Sequence, residues 1–262
     1  MSFDYRNKVA VVTGASSGIG KAIALDLAKR GTTVVVVARR KDLIEEVAEL
    51  CRKRAPESSG AVVDVADRQA VEAMCRETLG RHGRVDVLIN NAGIPQRVHA
   101  ARLTVEHVEE VMQINFMGSV YMTLALLPSM LEHRSGHIVN VSSVAGRTGS
   151  PREASYSASK FAMSGWSEVL AADLKDSGVK VHLIIPGAID TEIWRKVQEP
   201  ASYNGKFIAP EKIADAVRDV LEHGKFERWV PRKLGFVPVF RSLAPRAYIS
   251  GIARYDKRAK RD

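Results

Sequence analysis

Tyr156 and Lys160 stand four residues apart in the run Tyr156-Ser157-Ala158-Ser159-Lys160, and Ser143 precedes the tyrosine by thirteen residues. On a helix the four-residue spacing puts both side chains on one face, so an ammonium lies near a phenol and favours its ionised form. Free tyrosine titrates near 10, and proton transfer close to neutrality requires a downward shift of roughly 3 units, or about 4 kcal/mol. The pair is a candidate acid/base group, with Lys160 as one source of that shift.

A second constellation lies near the N-terminus. The apolar run ending at Thr13 continues as Gly14-Ala15-Ser16-Ser17-Gly18-Ile19-Gly20 and enters an amphipathic segment, giving glycines in the pattern GxxxGxG. Glycine lets a backbone turn tightly and approach a pyrophosphate, while the free N–H groups and positive end of the following helix favour the anion. The spacing departs from the GxGxxG of the dinucleotide fingerprint, and such turns also serve merely to pack a helix on a strand. After the second apolar run, Thr33 to Ala38, the chain gives Arg39-Arg40 where an acidic residue would bond the adenosine ribose hydroxyls of NAD. A guanidinium grips a 2′-phosphate bidentately, so these residues point to NADP(H) over NAD(H). The plainer alternative is a solvated basic turn opening a helix, partly neutralised by Asp42.

Elements able to position these groups follow from the hydrophobic pattern. Short β-branched runs at 8–13, 33–38, 60–64, 85–90, 137–142, 179–185 and 228–230 read as strands. They alternate with helical patterns near 18–30, 41–54, 67–82, 104–134, 153–176 and 210–223. Such alternation predicts an α/β fold, a doubly wound Rossmann-type parallel sheet of about seven strands with helices on both faces. In such sheets ligands bind beyond the carboxyl ends of the strands. At 262 residues and 45% hydrophobic, the chain can bury one core, and the predicted organisation is a catalytic domain over 1–231 with a C-terminal extension over 232–262.

In order along the chain, these features resemble the short-chain dehydrogenase/reductase family over residues 5–231. The resemblance rests on the Thr13 to Gly20 turn, Asp64 after the third strand, Asn90-Asn91-Ala92-Gly93 after the fourth, and Asn115 on a long helix. It continues through Ser143, Tyr156 with Lys160, and Pro186-Gly187 with Thr191. It implies an oxidoreductase interconverting a carbonyl and an alcohol. Tyr156 would exchange a proton with the substrate oxygen and Ser143 would orient that oxygen. Lys160 would hold the nicotinamide ribose and depress the tyrosine, and Asn115 would anchor a proton-returning water chain. Gly14, Ser16, Ser17, Gly18, Ile19 and Gly20 would cradle the pyrophosphate, and Arg39 and Arg40 the 2′-phosphate. Asp64 and Val65 would meet the adenine, and Asn91, Ala92 and Gly93 the adenosine. Pro186, Gly187, Ile189 and Thr191 would close the nicotinamide end. The resemblance also implies a homodimer or homotetramer built on helices 104–134 and 153–176, which carry the small residues Ala158, Ala162, Ser164 and Gly165.

Substrate choice is expected in the loop 94–103 and the segment 188–208, where Ile193, Trp194, Val197, Tyr203 and Phe207 either form an apolar lid over a lipid, steroid or ring ketone or simply pack the segment down. The net charge of +9 is concentrated in 232–262, which hold nine Lys/Arg against two Asp/Glu and leave the remainder at +2. The body therefore offers no broad nucleic-acid face. The extension interleaves its charges with Leu234, Phe236, Val237, Val239, Phe240, Leu243, Ile249 and Ile252, which reads either as peripheral membrane contact or as an arm packed on a neighbouring subunit or beside the substrate mouth, with only 255–262 loose. Cys51 and Cys75 stand alone on separate helices, so no metal site is expected. The first residues lack a secretory pattern, and the expected location is cytoplasmic. A nucleotide-sensing module without turnover is the alternative from another class.

Overall fold

The computed structural model describes residues 3–192 and 205–258, with side chains as far as Arg254 in the last helix. The seven strands are β1 (Val9–Thr13), β2 (Thr33–Ala38), β3 (Ser59–Val62), β4 (Val87–Asn90), β5 (Gly136–Val141), β6 (Val179–Pro186) and β7 (Glu227–Val230). All pair in parallel in the order β3-β2-β1-β4-β5-β6-β7. Each strand lies within two residues of its expected bounds. The central strands β1, β2 and β4 are apolar except for Thr13, Thr33 and Asn90 at their ends, and buried throughout apart from half-buried Thr33. That composition suits strands covered on both faces.

Helices α1 (Gly18–Lys29), α2 (Lys41–Arg52) and α7 (Glu211–His223) cover one face, packing Ile23, Leu27, Ile44, Val47 and Val217 onto it. Helices α3 (Arg68–His82), α4 (Val105–Met112), α5 (Gly118–Glu132) and α6 (Ala154–Asp173) cover the other. A π-helical turn, Gln113–Met117, joins α4 to α5 without a break. The resulting helix, Val105–Glu132, is long and apolar enough to cross a membrane by length and composition. Here Met122, Leu126 and Met130 of this helix are buried in the core. The strand order reverses between β1 and β4, and the cleft beyond their carboxyl ends is the place where doubly wound sheets bind ligands.

The chain beyond β7 is helical, with a 3-10 turn (Arg232–Gly235) followed by α8 (Phe236–Leu243) and α9 (Pro245–Arg258). Pro238 and Pro245 fall in the first turns of these helices, where the missing N–H has no intrahelical partner to lose. The expectation of a loose end from Tyr255 is thereby corrected, since the helix continues through Arg258. Residues 259–262 lie outside the described residues, as do Ile193, Trp194, Val197 and Tyr203 of the expected lid.

Candidate active site

At the switch point the β1 turn is held by its neighbours. Thr13 Oγ1 donates to Ile89 O (3.1 Å) and accepts from the Asn91 and Ala92 amides (2.9 and 3.0 Å). The Asn91 side-chain amide donates back to Thr13 O (3.0 Å) and Gly14 O (3.3 Å). A Cβ on Gly20 would stand 2.4 Å from Gly14 O and 2.6 Å from Asn91 Nδ2, so the close approach of α1 to this turn requires glycine. Gly14 adopts φ 64°, and a side chain there would meet the Ala92 backbone at 2.8 Å. Asn90 and Asn140 form a buried chain beneath, linking Thr123, Asn90, Asn140 and Ser167 at 2.8–3.1 Å.

Helix α1 begins at Gly18 without a side-chain cap, because the Ser17 hydroxyl is turned toward Arg40. Gly18 and Ile19 of its first turn line the cleft, and free N–H groups at a helix start are of the kind that bind anions. Arg40 donates through Nη2 to Ser17 Oγ (2.7 Å) and Ser16 Oγ (3.1 Å), and through Nη1 to Glu192 (3.1 Å). Arg39 reaches Asp64 at 3.4 Å, and Asp64 also caps its own turn by accepting the Ala66 amide. The basic pair expected after β2 thus sits across one end of the cleft, each guanidinium already facing a carboxylate.

At the other end, Tyr156 and Lys160 on α6 face Ser143 at the end of β5. Ser143 opens a 3-10 turn, accepts the Ala145 amide on its hydroxyl (3.1 Å), and hydrogen-bonds the Tyr156 phenol. Lys160 Nζ donates to Val141 O (2.9 Å) and lies 5.9 Å from the centre of the Tyr156 ring. Burial pushes the Tyr156 phenol up to about 12, with the Ser143 hydrogen bond opposing and the Glu153 charge adding to the rise. Burial also lowers Lys160 to about 8. Burial outweighs the Ser143 hydrogen bond, so the protein's own groups shift the phenol upward, opposite to the depression expected of Lys160 together with an oxidised nicotinamide ring.

Asn115 lies in the π-helical turn, fully buried, accepting the Ile94 amide (2.7 Å) and donating to Ile94 O (3.0 Å) and Ser159 Oγ (3.1 Å). A π-turn rotates this side chain out of the helical series and onto Ile94 at the start of the loop 94–103. Two further bonds tie that loop to the segment before α6: Val98 N donates to Arg152 O (2.7 Å), and Arg97 pairs with Glu153 at 3.0 Å.

One cavity is lined by Gly14, Ser16, Ser17, Gly18, Ile19, Arg39, Arg40, Asp64, Val65, Asn91, Ala92, Gly93, Tyr156, Lys160 and Thr191. Gly20, Asn115, Ser143, Pro186, Gly187 and Ile189 do not line it. Gly20 and Asn115 act on its walls as described. Gly187 accommodates Leu234 of the extension, which a Cβ would approach to 2.7 Å, and Ile189 bridges to Ile208. Ile94 and Pro95 of the loop 94–103 and Glu192 of the segment 188–208 line it as well, together with Ala38, Val63, Ile114, Val141 and Ser142, which the sequence did not single out. Among them Ala38, Val63, Val141 and Ser142 follow or end strands, the signal that could have found them. Among the described residues, no cluster of His, Cys, Asp and Glu could hold a metal ion. Cys51 and Cys75 are buried thiols pushed up to about 11 and about 12 by desolvation.

Residues 8–202 match the family described as short chain dehydrogenase. The chain is 33% identical over 217 residues to a 3-oxoacyl-[acyl-carrier-protein] reductase of Thermotoga maritima, covering 80% of this chain and 88% of that protein. A short chain dehydrogenase/reductase from Burkholderia phymatum, solved in complex with NAD, superposes with a TM-score of 0.85 at 25% identity, over 92% of this chain and 95% of that one. An alcohol dehydrogenase from Thermococcus sibiricus, solved with 5-hydroxy-NADP, superposes at 0.75 with 28% identity, over 85% and 95%.

Proposed function

The chain belongs to the short-chain dehydrogenase family, and on that premise we propose that it is an NADP(H)-dependent oxidoreductase moving a hydride between nicotinamide and a carbonyl or secondary alcohol. The observation that carries this reading is that Tyr156, hydrogen-bonded by Ser143, and Lys160 line the same cavity as Arg40 with Ser16 and Ser17. A bound nicotinamide dinucleotide supplies or accepts the hydride, and its oxidised ring carries a positive charge. The residues present fit such a group: an uncapped α1 N-terminus suits the pyrophosphate, and an Arg–Ser–Ser cluster suits a 2′-phosphate.

In this reading Tyr156 exchanges its proton with the substrate oxygen and Ser143 donates a hydrogen bond to that same oxygen. Lys160 holds the nicotinamide ribose hydroxyls, and its charge supports the phenolate. Asn115 steadies Ile94 and Ser159 and anchors the path by which protons return to solvent. Asp64 and Val65 flank the adenine, Asn91, Ala92 and Gly93 the adenosine, and Pro186, Gly187, Ile189 and Thr191 the nicotinamide end. Ile94, Pro95, Ile114 and Val141 on the cleft wall support an apolar carbonyl substrate of lipid, steroid or ring type. Exposed Val105, Leu124 and Val169 on α4, α5 and α6 support a homodimer or homotetramer, and the two unpaired thiols support a cytoplasmic location. Residues 1–231 form the catalytic unit and 232–262 an appended one.

Turnover of a panel of ketones and secondary alcohols with NADPH and with NADH tests the reading. Tyr156→Phe should lower kcat by roughly 10²- to 10⁴-fold while nucleotide affinity is kept. Wild-type kcat in that variant would refute the role of the phenol. A nucleotide-sensing module without turnover is not favoured by membership of this family or by the oxidoreductases it resembles, and nucleotide binding without turnover of any panel member would restore it.

A further inference from the structure

Phe236, Val239, Phe240 and Leu243 recur on α8 at the spacing of one helical face, and they are 76%, 55%, 53% and 81% exposed. A surface helix ordinarily turns such a stripe toward the core, whereas α8 turns it outward. The orientation is held from behind. The Arg241 guanidinium lies over the Phe161 ring of α6 at 5.7 Å, and the Tyr248 hydroxyl, on buried Tyr248 of α9, donates to Gly149 O at 2.9 Å. Between Pro231 and Arg254 the chain has five Lys/Arg and no Asp or Glu. Arg232 and Lys233 before the stripe and Arg246 and Arg254 after it are all exposed.

We infer that this face docks on an anionic lipid bilayer, with the α8 stripe sunk to the acyl boundary and the flanking cations on lipid phosphates. Charge decides between a bilayer and a second copy of the chain. A two-fold interface through this patch would set one basic surface against its equal, while an anionic membrane neutralises it. Size points the same way, because a stripe two turns long falls well short of the roughly 800 Å² per partner of a stable protein interface. Phe161 adjoins Lys160 in sequence, and Gly149 lies in the loop between Ser143 and Tyr156, so docking brings the substrate entrance to the membrane surface. That last consequence rests on the oxidoreductase reading; the docking itself does not.

Flotation of the full chain with vesicles of phosphatidylcholine alone, and of phosphatidylcholine mixed with phosphatidylglycerol, tests the inference. The wild type should float with the anionic vesicles only, and less so in high salt. Phe240→Ser with Leu243→Ser should lower the bound fraction about tenfold. Arg246→Gln with Arg254→Gln should lower it several-fold. Both variants should keep the wild-type melting temperature and NADPH affinity. Equal flotation of wild type and variants, or no flotation of the wild type, overturns the inference. A wild type that fails to float, but that dissociates to smaller species in the double serine variant, would make the stripe an interface between copies. The assay reads no turnover, so its outcome stands apart from that of the catalytic tests.

Discussion

Removing the Arg40 side chain separates the two nucleotides. In Arg40→Ala the guanidinium that bonds Ser16, Ser17 and Glu192 is lost. A charge-assisted bond to phosphate contributes about 1.5–3 kcal/mol, and because the side chain is 40% exposed the lower end applies. A loss of about 1.5–2 kcal/mol corresponds to roughly 10- to 30-fold in Kd. The Glu192 carboxylate, 49% exposed, is then left without its Arg40 partner beside the phosphate. At a separation of about 5 Å in a near-aqueous environment this adds about 1 kcal/mol of repulsion. NADPH should therefore bind roughly 50- to 150-fold more weakly. NADH, lacking the 2′-phosphate, should change by less than about threefold, and Arg40→Ala with Glu192→Gln should recover about fivefold of the NADPH loss. Isothermal titration of both nucleotides at two salt concentrations measures all of this. An unchanged ratio of NADPH to NADH affinity in Arg40→Ala would refute the assignment of the 2′-phosphate to this residue.

Other perturbations test the frame around the site. His182 Nδ1–H donates to Lys225 O (2.7 Å), so its Nε2 accepts from His137 (2.9 Å), and burial pushes His137 down to about 3 and His182 to about 4. Unfolded histidines protonate near 6.5, so the unfolded chain binds more protons than the folded one below that pH, and stability should fall by a few kcal/mol as pH drops from about 6.5 toward 4. Urea melts at pH 7 and pH 5 with the same midpoint would contradict this. Gly20→Ala forces a methyl onto Gly14 O and should cost about 2–3 kcal/mol together with more than tenfold in nucleotide affinity, read by thermal melting beside titration. Arg97→Met leaves the carboxylate of Glu153, 15% exposed, buried without that guanidinium and should destabilise by about 3 kcal/mol. Adding Glu153→Leu should restore much of the denaturant midpoint, and a midpoint unmoved in the single variant would show that the pair contributes nothing.

Much of this molecule is legible in one dimension because its signals are local. An apolar run such as Thr33 to Ala38, bounded by turn residues and followed by an amphipathic helix, specifies a buried parallel strand whatever surrounds it. The four-residue spacing of Tyr156 and Lys160 already places both on one helical face, and the glycines of the first turn carry their steric meaning in their spacing. Contacts between distant segments are another matter. Asn115 looks like any helix-interior amide until the π-turn brings it to Ile94 and Ser159, residues 21 and 44 positions away. Asn91 reads as a cofactor neighbour, yet its amide holds the glycine turn from 78 residues away. The direction in which Tyr156 is shifted depends on burial, which a spacing of two residues cannot express. The sequence by itself determined the sheet, the glycine turn and the shared helical face of Tyr156 and Lys160, because periodicity and backbone freedom act over a few neighbouring residues. Only the tertiary structure decided how Arg40 meets Ser16, Ser17 and Glu192, how far desolvation raises Tyr156, and which way the α8 stripe faces, because each depends on segments that meet only when the chain is folded.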